Sequence, residues 1–278
     1  MSDFGPTMEP FTELRPGIRR VVAPNPSMMT GPGTNTYLFG RQEVAVLDPG
    51  PVIKDHLDNI QQVAGAEIRW IIVTHTHPDH SPAAKLLAER TGAELIGMPA
   101  PEGVHQDASF KPDRIPSDGD EVLSDEFRIR AVHTPGHASN HVCYLHKESN
   151  WLFTGDHVID GSTVVIDPPD GNMKQYIESL RRVRSLECDA LVPGHGEVIH
   201  DPERVIDWIV DHRLEREAKV LTALRANPGL STRGLVPHVY KDVHPKLYGW
   251  AERSLLAHLL KLEEDGNATN DDSRWNQL

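Results

Sequence analysis

An apolar run ends in three histidines and an aspartate within six residues: the segment from Ile71 to His80 reads IIVTHTHPDH. In an extended backbone, residues two apart point the same way, so His75 and His77 can grip one cation together, while Asp79 and His80 come from the following turn. Further along, His137 stands in HTPGH, Asp156 in FTGD and His195 in PGHG, each after an apolar run and beside glycine. A single histidine near a strand end is more often a hydrogen-bonded surface group than a ligand, so the weight rests on the ordered set. Seven ligands are too many for one tetrahedral ion and suit two. The division inferred is His75, His77 and His137 on one ion and Asp79, His80 and His195 on the other, with Asp156 bridging through its two oxygens. Two such ions, about 3.5–4 Å apart, can hold a hydroxide between them and stabilise the attacking and leaving oxygens of a hydrolysis. Imidazole with carboxylate favours zinc, two Zn2+ per chain, and iron or manganese tolerates the same donors. Asp79 can accept a proton while remaining a ligand.

The elements that position these residues follow from periodicity. From about residue 18 to 200, apolar runs such as GTNTYLFG, EVAVLDPG, IRWIIVTH, AELIGMP, FRIRAVHTPG, HVCYLHK, NWLFTGD and CDALVPGHG read as strands ending in turn residues. Amphipathic helices lie between them, the clearest at Val52 to Val63, Pro82 to Arg90 and Met173 to Leu186. Ser81 is placed to cap the second of these, with Pro82 at its first position. This is an α/β pattern. After Pro202 the texture becomes helical, at Pro202 to Ala226, Ser231 to Tyr240 and Ala251 to Glu264, in an order that resembles a winged-helix module. Ser231 is placed to cap the middle helix. The polar close, GNATNDDSRWNQL, reads as either a terminal hairpin or a frayed tail. The expected domains are a catalytic unit over residues 1–200 and a helical, winged-helix-like unit over residues 201–278.

Composition bounds the partners. A formal net charge of −13 disfavours purely electrostatic binding to nucleic acid. The compact cationic group Arg181, Arg182 and Arg184 sits on an amphipathic helix and reads as a solvated face. No apolar run approaches the length of a membrane span, and the start, MSDFGPTMEPFTELRPG, does not read as a secretory signal, so a soluble, cytoplasmic protein with no membrane partner is expected. The cysteines, Cys143 and Cys188, form no CxxC pair, which argues against a disulfide framework. An oligomer is compatible with all of this.

The ordered ligand motifs over about residues 18 to 200 resemble the metallo-β-lactamase superfamily. The resemblance implies a four-layered αββα sandwich with the metals at one edge of two sheets, and gives Asp48, in VAVLDPG, a role buttressing the metal loop; a turn-capping Asp is the alternative. True β-lactamases of the superfamily lack the bridging aspartate, so Asp156 points to the glyoxalase and nuclease branches. The interval from Asp156 to His195 is too short for the inserted domain of the large RNA-cleavage and DNA-repair nucleases. GPGTNTYLFG, HRLERE and SLLAHLLKLEEDG resemble the lactamase-like protein 2 family, which implies cleavage of single-stranded RNA or, as in fungal relatives, thioester hydrolysis. The expected function is a two-metal hydrolase attacking an ester-type or phosphodiester bond, with a small-molecule ester or thioester or single-stranded RNA as substrate. A glyoxalase II-like thioesterase is one alternative, since TPGHASNHVCYL resembles that branch and gives His141 a catalytic or supporting role beside Asp79. An iron-dependent sulfur dioxygenase is another. In the C-terminal unit Tyr240, His244, Tyr248 and Trp250 are candidates for shaping a cleft, and the loop from Ser27 to Tyr37, with Gly31 and Gly33, is either a flap over the metals or a connector.

Overall fold

The computed structural model of the chain describes residues 11–103, 106–241 and 243–278. The N-terminal stretch expected not to be a leader therefore lies largely outside the described residues. Two sheets face each other. One has the strand order β1 (Thr12–Arg15), β2 (Ile18–Val22), β3 (Asn35–Phe39), β4 (Glu43–Leu47), β5 (Glu67–Ile72), β6 (Glu94–Ile96). The other runs β11 (Ala190–Pro193), β10 (Trp151–Gly155), β9 (Val142–His146), β8 (Arg128–His133), β7 (Glu121–Leu123). Side chains alternate across each strand. Tyr37, Phe39, Ala45, Leu47, Trp70 and Ile72 meet Ile129, Val142, Tyr144, Phe153 and Val192 between the sheets. Their neighbours Leu38, Val44, Val46 and Ile71 turn outward under helices α1 (Lys54–Ala64) and α2 (Ala83–Thr91). Cys143, Leu145, Leu152 and Leu191 turn outward under α3 (Met173–Arg184) and α4 (Pro202–Ala226). Because both faces of each sheet are covered, the strands read as continuous apolar runs. The result is the αββα sandwich.

The helices fall where expected to within a few residues, but one cap differs. Ser81 does not cap α2: its Oγ donates to Asp107 Oδ2 at 2.7 Å, and the helix begins behind Pro82 with no side-chain cap. A charged acceptor from a distant loop outcompetes the local backbone. Ser231 does cap α5 (Thr232–Val239), accepting from the Gly234 amide.

The C-terminal elements α5, α6 (Tyr248–Glu264) and the hairpin β12 (Ala268–Asp271) with β13 (Arg274–Gln277) enclose their own core of Leu235, Val236, Leu255, Leu259, Leu262 and Trp275. The polar close of the chain is thus a hairpin, pinned by the buried Trp275. Helix α4 serves two cores: Ile206 and Ile209 pack beneath the five-stranded sheet, while Val220, Ala223 and Leu224 belong to the C-terminal core. No described helix is long and apolar enough to cross a membrane, and both cysteines are free.

Candidate metal centre

At one edge of the sandwich the sheets are stitched together by backbone. The Val142 amide donates to Thr74 O and the Asn35 amide to Gly194 O, both at 2.8 Å. All seven expected ligands gather here, on the loops after β5, β8, β10 and β11. They form two groups: one ligand atom each from His75, His77, His137 and Asp156, and another set from Asp79, His80 and His195, with the atoms of each group within 4.8 Å of one another. In the first group His77 Nδ1 lies 2.9 Å from His75 Nε2 and 3.0 Å from His137 Nε2. In the second, His195 Nε2 is 3.3 Å from Asp79 Oδ2. Asp156 faces both, with Oδ2 3.6 Å from His137 Nε2 and Oδ1 3.3 and 3.4 Å from His195 Nε2 and His80 Nε2.

The imidazoles are held from behind. Nδ1 of His80 donates to Asp48 Oδ2 at 2.9 Å, that of His137 to Val165 O at 2.7 Å, and that of His195 to Gly33 O at 3.2 Å. The Thr74 hydroxyl donates to Asp48 Oδ2 at 2.8 Å and so accepts from His75 Nδ1 at 3.0 Å. With the proton fixed on Nδ1, each ring presents the lone pair of Nε2. Asp48 thus supports His75 and His80 together, and its Oδ1 also takes the Thr74 amide. Two glycines make room. A Cβ on Gly194 would stand 2.7 Å from His80 Cε1, and one on Gly33, whose carbonyl holds His195, would stand 1.9 Å from Ala23 O.

The donor set fits a cation. His80 Nε2 and Asp156 Oδ1 are buried without a hydrogen-bond partner among the described residues, although they face each other. Leaving such atoms unpaired costs about 1–3 kcal/mol each, a cost that a shared cation removes. Ligands about 2.0–2.1 Å from a tetrahedral ion lie roughly 3.3 Å apart, close to the spacings in the second group. Burial, reinforced by neighbouring imidazoles, pushes His75 well below the usual histidine range and His77 down to about 3, so both rings stay neutral. Burial also opposes charge on His80, but the carboxylates of Asp79, Asp156 and Asp48 outweigh it and raise the imidazole well above its ordinary value. Burial would likewise raise Asp79 and Asp156, yet His80 and His195 hold both carboxyls below the usual range. The second group calls for positive charge, as a proton or as a metal ion.

His141, expected in a catalytic or supporting role, stands behind Asp156. It is buried; its Nε2 accepts the Asp156 amide at 3.2 Å and its Nδ1 meets Thr134 Oγ1 at 2.9 Å, so neither ring nitrogen is left for a substrate. Arg182 and Arg184 are ion-paired, to Asp118 and to Glu203 and Asp207, and line no part of the site.

His77, Asp79, His137, Asp156 and His195 open into a cleft of about 980 Å³ whose other walls include Met29, Val165, Asp167, Pro168, Trp250 and Arg253. Of the four C-terminal candidates only Trp250 lines it. Tyr240 is buried beneath Arg216, Tyr248 packs on the C-terminal core, and His244 accepts the Lys246 amide. The loop from Ser27 borders the cleft through Met29 and also anchors His195 through Gly33. The segment Val164 to Asp170 was not expected to contribute. Its only sequence signal is DPPD, a turn-like stretch without metal-ligand spacing.

Comparison with known proteins agrees with this fold. The family model of the metallo-beta-lactamase superfamily matches residues 29–195, and that of the beta-lactamase-associated winged helix domain matches residues 231–275. A beta-lactamase-like protein 2 homolog of Drosophila melanogaster is 32% identical over 270 residues, covering 92% of this chain and 90% of its own length. An atrochrysone carboxyl ACP thioesterase of Aspergillus fumigatus is 32% identical over 224 residues, covering 79% and 69%. The crystal structure of a metallo-beta-lactamase family protein from Thermus thermophilus shares the fold, with a TM-score of 0.80 at 21% identity over 96% of this chain and 100% of that one. On the matched sandwich and the matched C-terminal module together, the chain belongs to the metallo-beta-lactamase superfamily, with a winged-helix domain at its C-terminal end and similarity to beta-lactamase-like protein 2 homologs along nearly its whole length.

Proposed function

We propose that the protein is a two-metal hydrolase of carbonyl esters, with thioesters as the favoured class, and that the metals are zinc. His75, His77 and His137 would hold one ion, Asp79, His80 and His195 the other, and Asp156 both. The observation that carries this reading is the pair of Asp156 oxygens, each turned to a different group of imidazoles. Bound divalent ions would polarise the substrate carbonyl and make a water acidic enough to attack at neutral pH. Asp79, deprotonated at neutral pH and the most solvent-open carboxylate of the set, takes the proton released by the attacking water. The carbon–oxygen bond forms, the acyl–sulfur bond breaks, and the proton passes to the departing thiolate. His141 and Asp48 hold Asp156 and His80 in place throughout.

Charge favours a carbonyl substrate over RNA. Arg253 is the one Lys or Arg among the described lining residues, and it is paired with Asp167 at 2.9 Å, while Asp170 and Glu252 also line the cleft. A polyanion needs a track of free basic groups. The similarity to a named thioesterase supports the same choice. The test is turnover of an acyl thioester, a simple phosphodiester and a short single-stranded RNA by zinc-loaded protein. Thioester hydrolysis that falls on the order of 10²–10⁴-fold in Asp79→Ala is expected. RNA cleavage without thioester turnover would overturn the reading.

A further inference from the structure

We infer that Met29 and Trp250 form a clamp for a large apolar, preferentially planar, acyl group, which makes them the residues that set substrate choice; this rests on the thioester reading above. Both residues line the cleft that contains the ligands, and both are half exposed, at 51% each, with the neighbouring Met28 at 95%. Large apolar side chains gathered at the mouth of a reactive cleft mark a surface that a ligand covers.

The two walls are built into the metal centre. Met29 belongs to the loop whose Gly33 carbonyl orients His195. Trp250 stands on α6 with Arg253 and Leu256, spaced three apart and so on one helical face. Arg253 pairs with Asp167, two residues after the Val165 whose carbonyl orients His137. Each wall is therefore tied to an imidazole of a different ligand group, and both line the cleft onto which Asp156, the carboxylate facing both groups, opens. The Arg253 guanidinium also lies 5.7 Å from the Trp250 ring, which steadies the indole.

The chemistry of the walls selects the occupant. An indole face and a thioether are polarisable surfaces that stack on flat apolar groups, while the paired Arg253 and the carboxylates of Asp170 and Glu252 give no purchase to an anionic acyl chain. The cleft is large enough for a fused two-ring acyl group.

The test compares naphthoyl and acetyl thioesters of N-acetylcysteamine, together with calorimetric binding of the non-hydrolysable naphthoyl amide analogue. Wild-type protein should prefer naphthoyl, and Trp250→Ala should lower the naphthoyl-to-acetyl ratio of kcat/KM by about tenfold or more, mostly through KM for naphthoyl. Trp250→Phe should restore most of that ratio, and Trp208→Ala, an exposed tryptophan outside the cleft, should not change it. A ratio unaltered in Trp250→Ala, or a wild type without preference, overturns the clamp. If no thioester is turned over, the thioesterase reading fails by itself. The clamp then stands if the amide analogue binds wild type and Trp250→Ala abolishes binding, and falls if the two bind alike.

Discussion

Asp48 Oδ2 accepts a hydrogen bond from His80 Nδ1 at 2.9 Å, inside a site where Asp48 also holds Thr74 and, through it, His75. One buried carboxylate thus orients an imidazole in each ligand group. Asp48→Asn should bind zinc about 10–100-fold more weakly, read by competition with a chromophoric chelator, because the amide nitrogen offers a donor where an acceptor is needed. Unchanged zinc affinity would show that His80 needs no partner at its back.

Asp156→Asn removes the charge and one of the two acceptor oxygens that face the ligand groups. The variant should hold one zinc under conditions where the wild type holds two, with hydrolysis lowered by at least about 100-fold. A variant with two ions and wild-type turnover would remove Asp156 from its proposed shared role.

Arg213, buried on α4, donates to Val164 O, beside the Val165 carbonyl that orients His137. Arg213→Met strands that carbonyl and should cost about 1–3 kcal/mol of stability in urea unfolding. An unfolding midpoint equal to that of the wild type would contradict the anchoring role.

His258 is buried in α6 with both ring nitrogens unpartnered among the described residues. Burial, then Arg213, Arg216, Lys261 and His212 around it, pushes its pKa from 6.5 down to about 3. The folded state keeps the ring neutral while the unfolded chain takes up a proton below pH 6.5, so this contribution is complete above that pH and is lost as pH falls from 6.5 toward 3. Its slope is about 1.4 kcal/mol per pH unit. Comparing urea unfolding at pH 7 and pH 5, His258→Leu should lose less stability than the wild type; an equal loss would mean that His258 does not titrate on unfolding.

Much of the centre was legible in the sequence because its ligands follow strands whose two buried faces make them continuous apolar runs, as in IIVTHTHPDH. Strand β2 was not, since Arg19 and Arg20 interrupt its apolar pattern. Both are nonetheless buried: Arg19 donates to Ala64 O, and Arg20 pairs with Glu197 at 2.8 Å, contacts made across distant parts of the chain. The exposed edge strand β1 and the three-residue β7 carry too little pattern to register. The partner of His141 was hidden for a similar reason: spacing placed it near the ligands, but only the fold turns its Nε2 toward the Asp156 amide. Asp167 and Arg253 join the cleft by a pairing between the sandwich and α6, which no local motif announces.

The central claim is a pair of ions sharing Asp156, and metal content bears on it most directly. Elemental analysis of freshly purified protein, with wild type beside Asp156→Asn, should give two zinc ions per chain in the first and one in the second. One ion per chain in both, or a single iron in the wild type, would contradict the account.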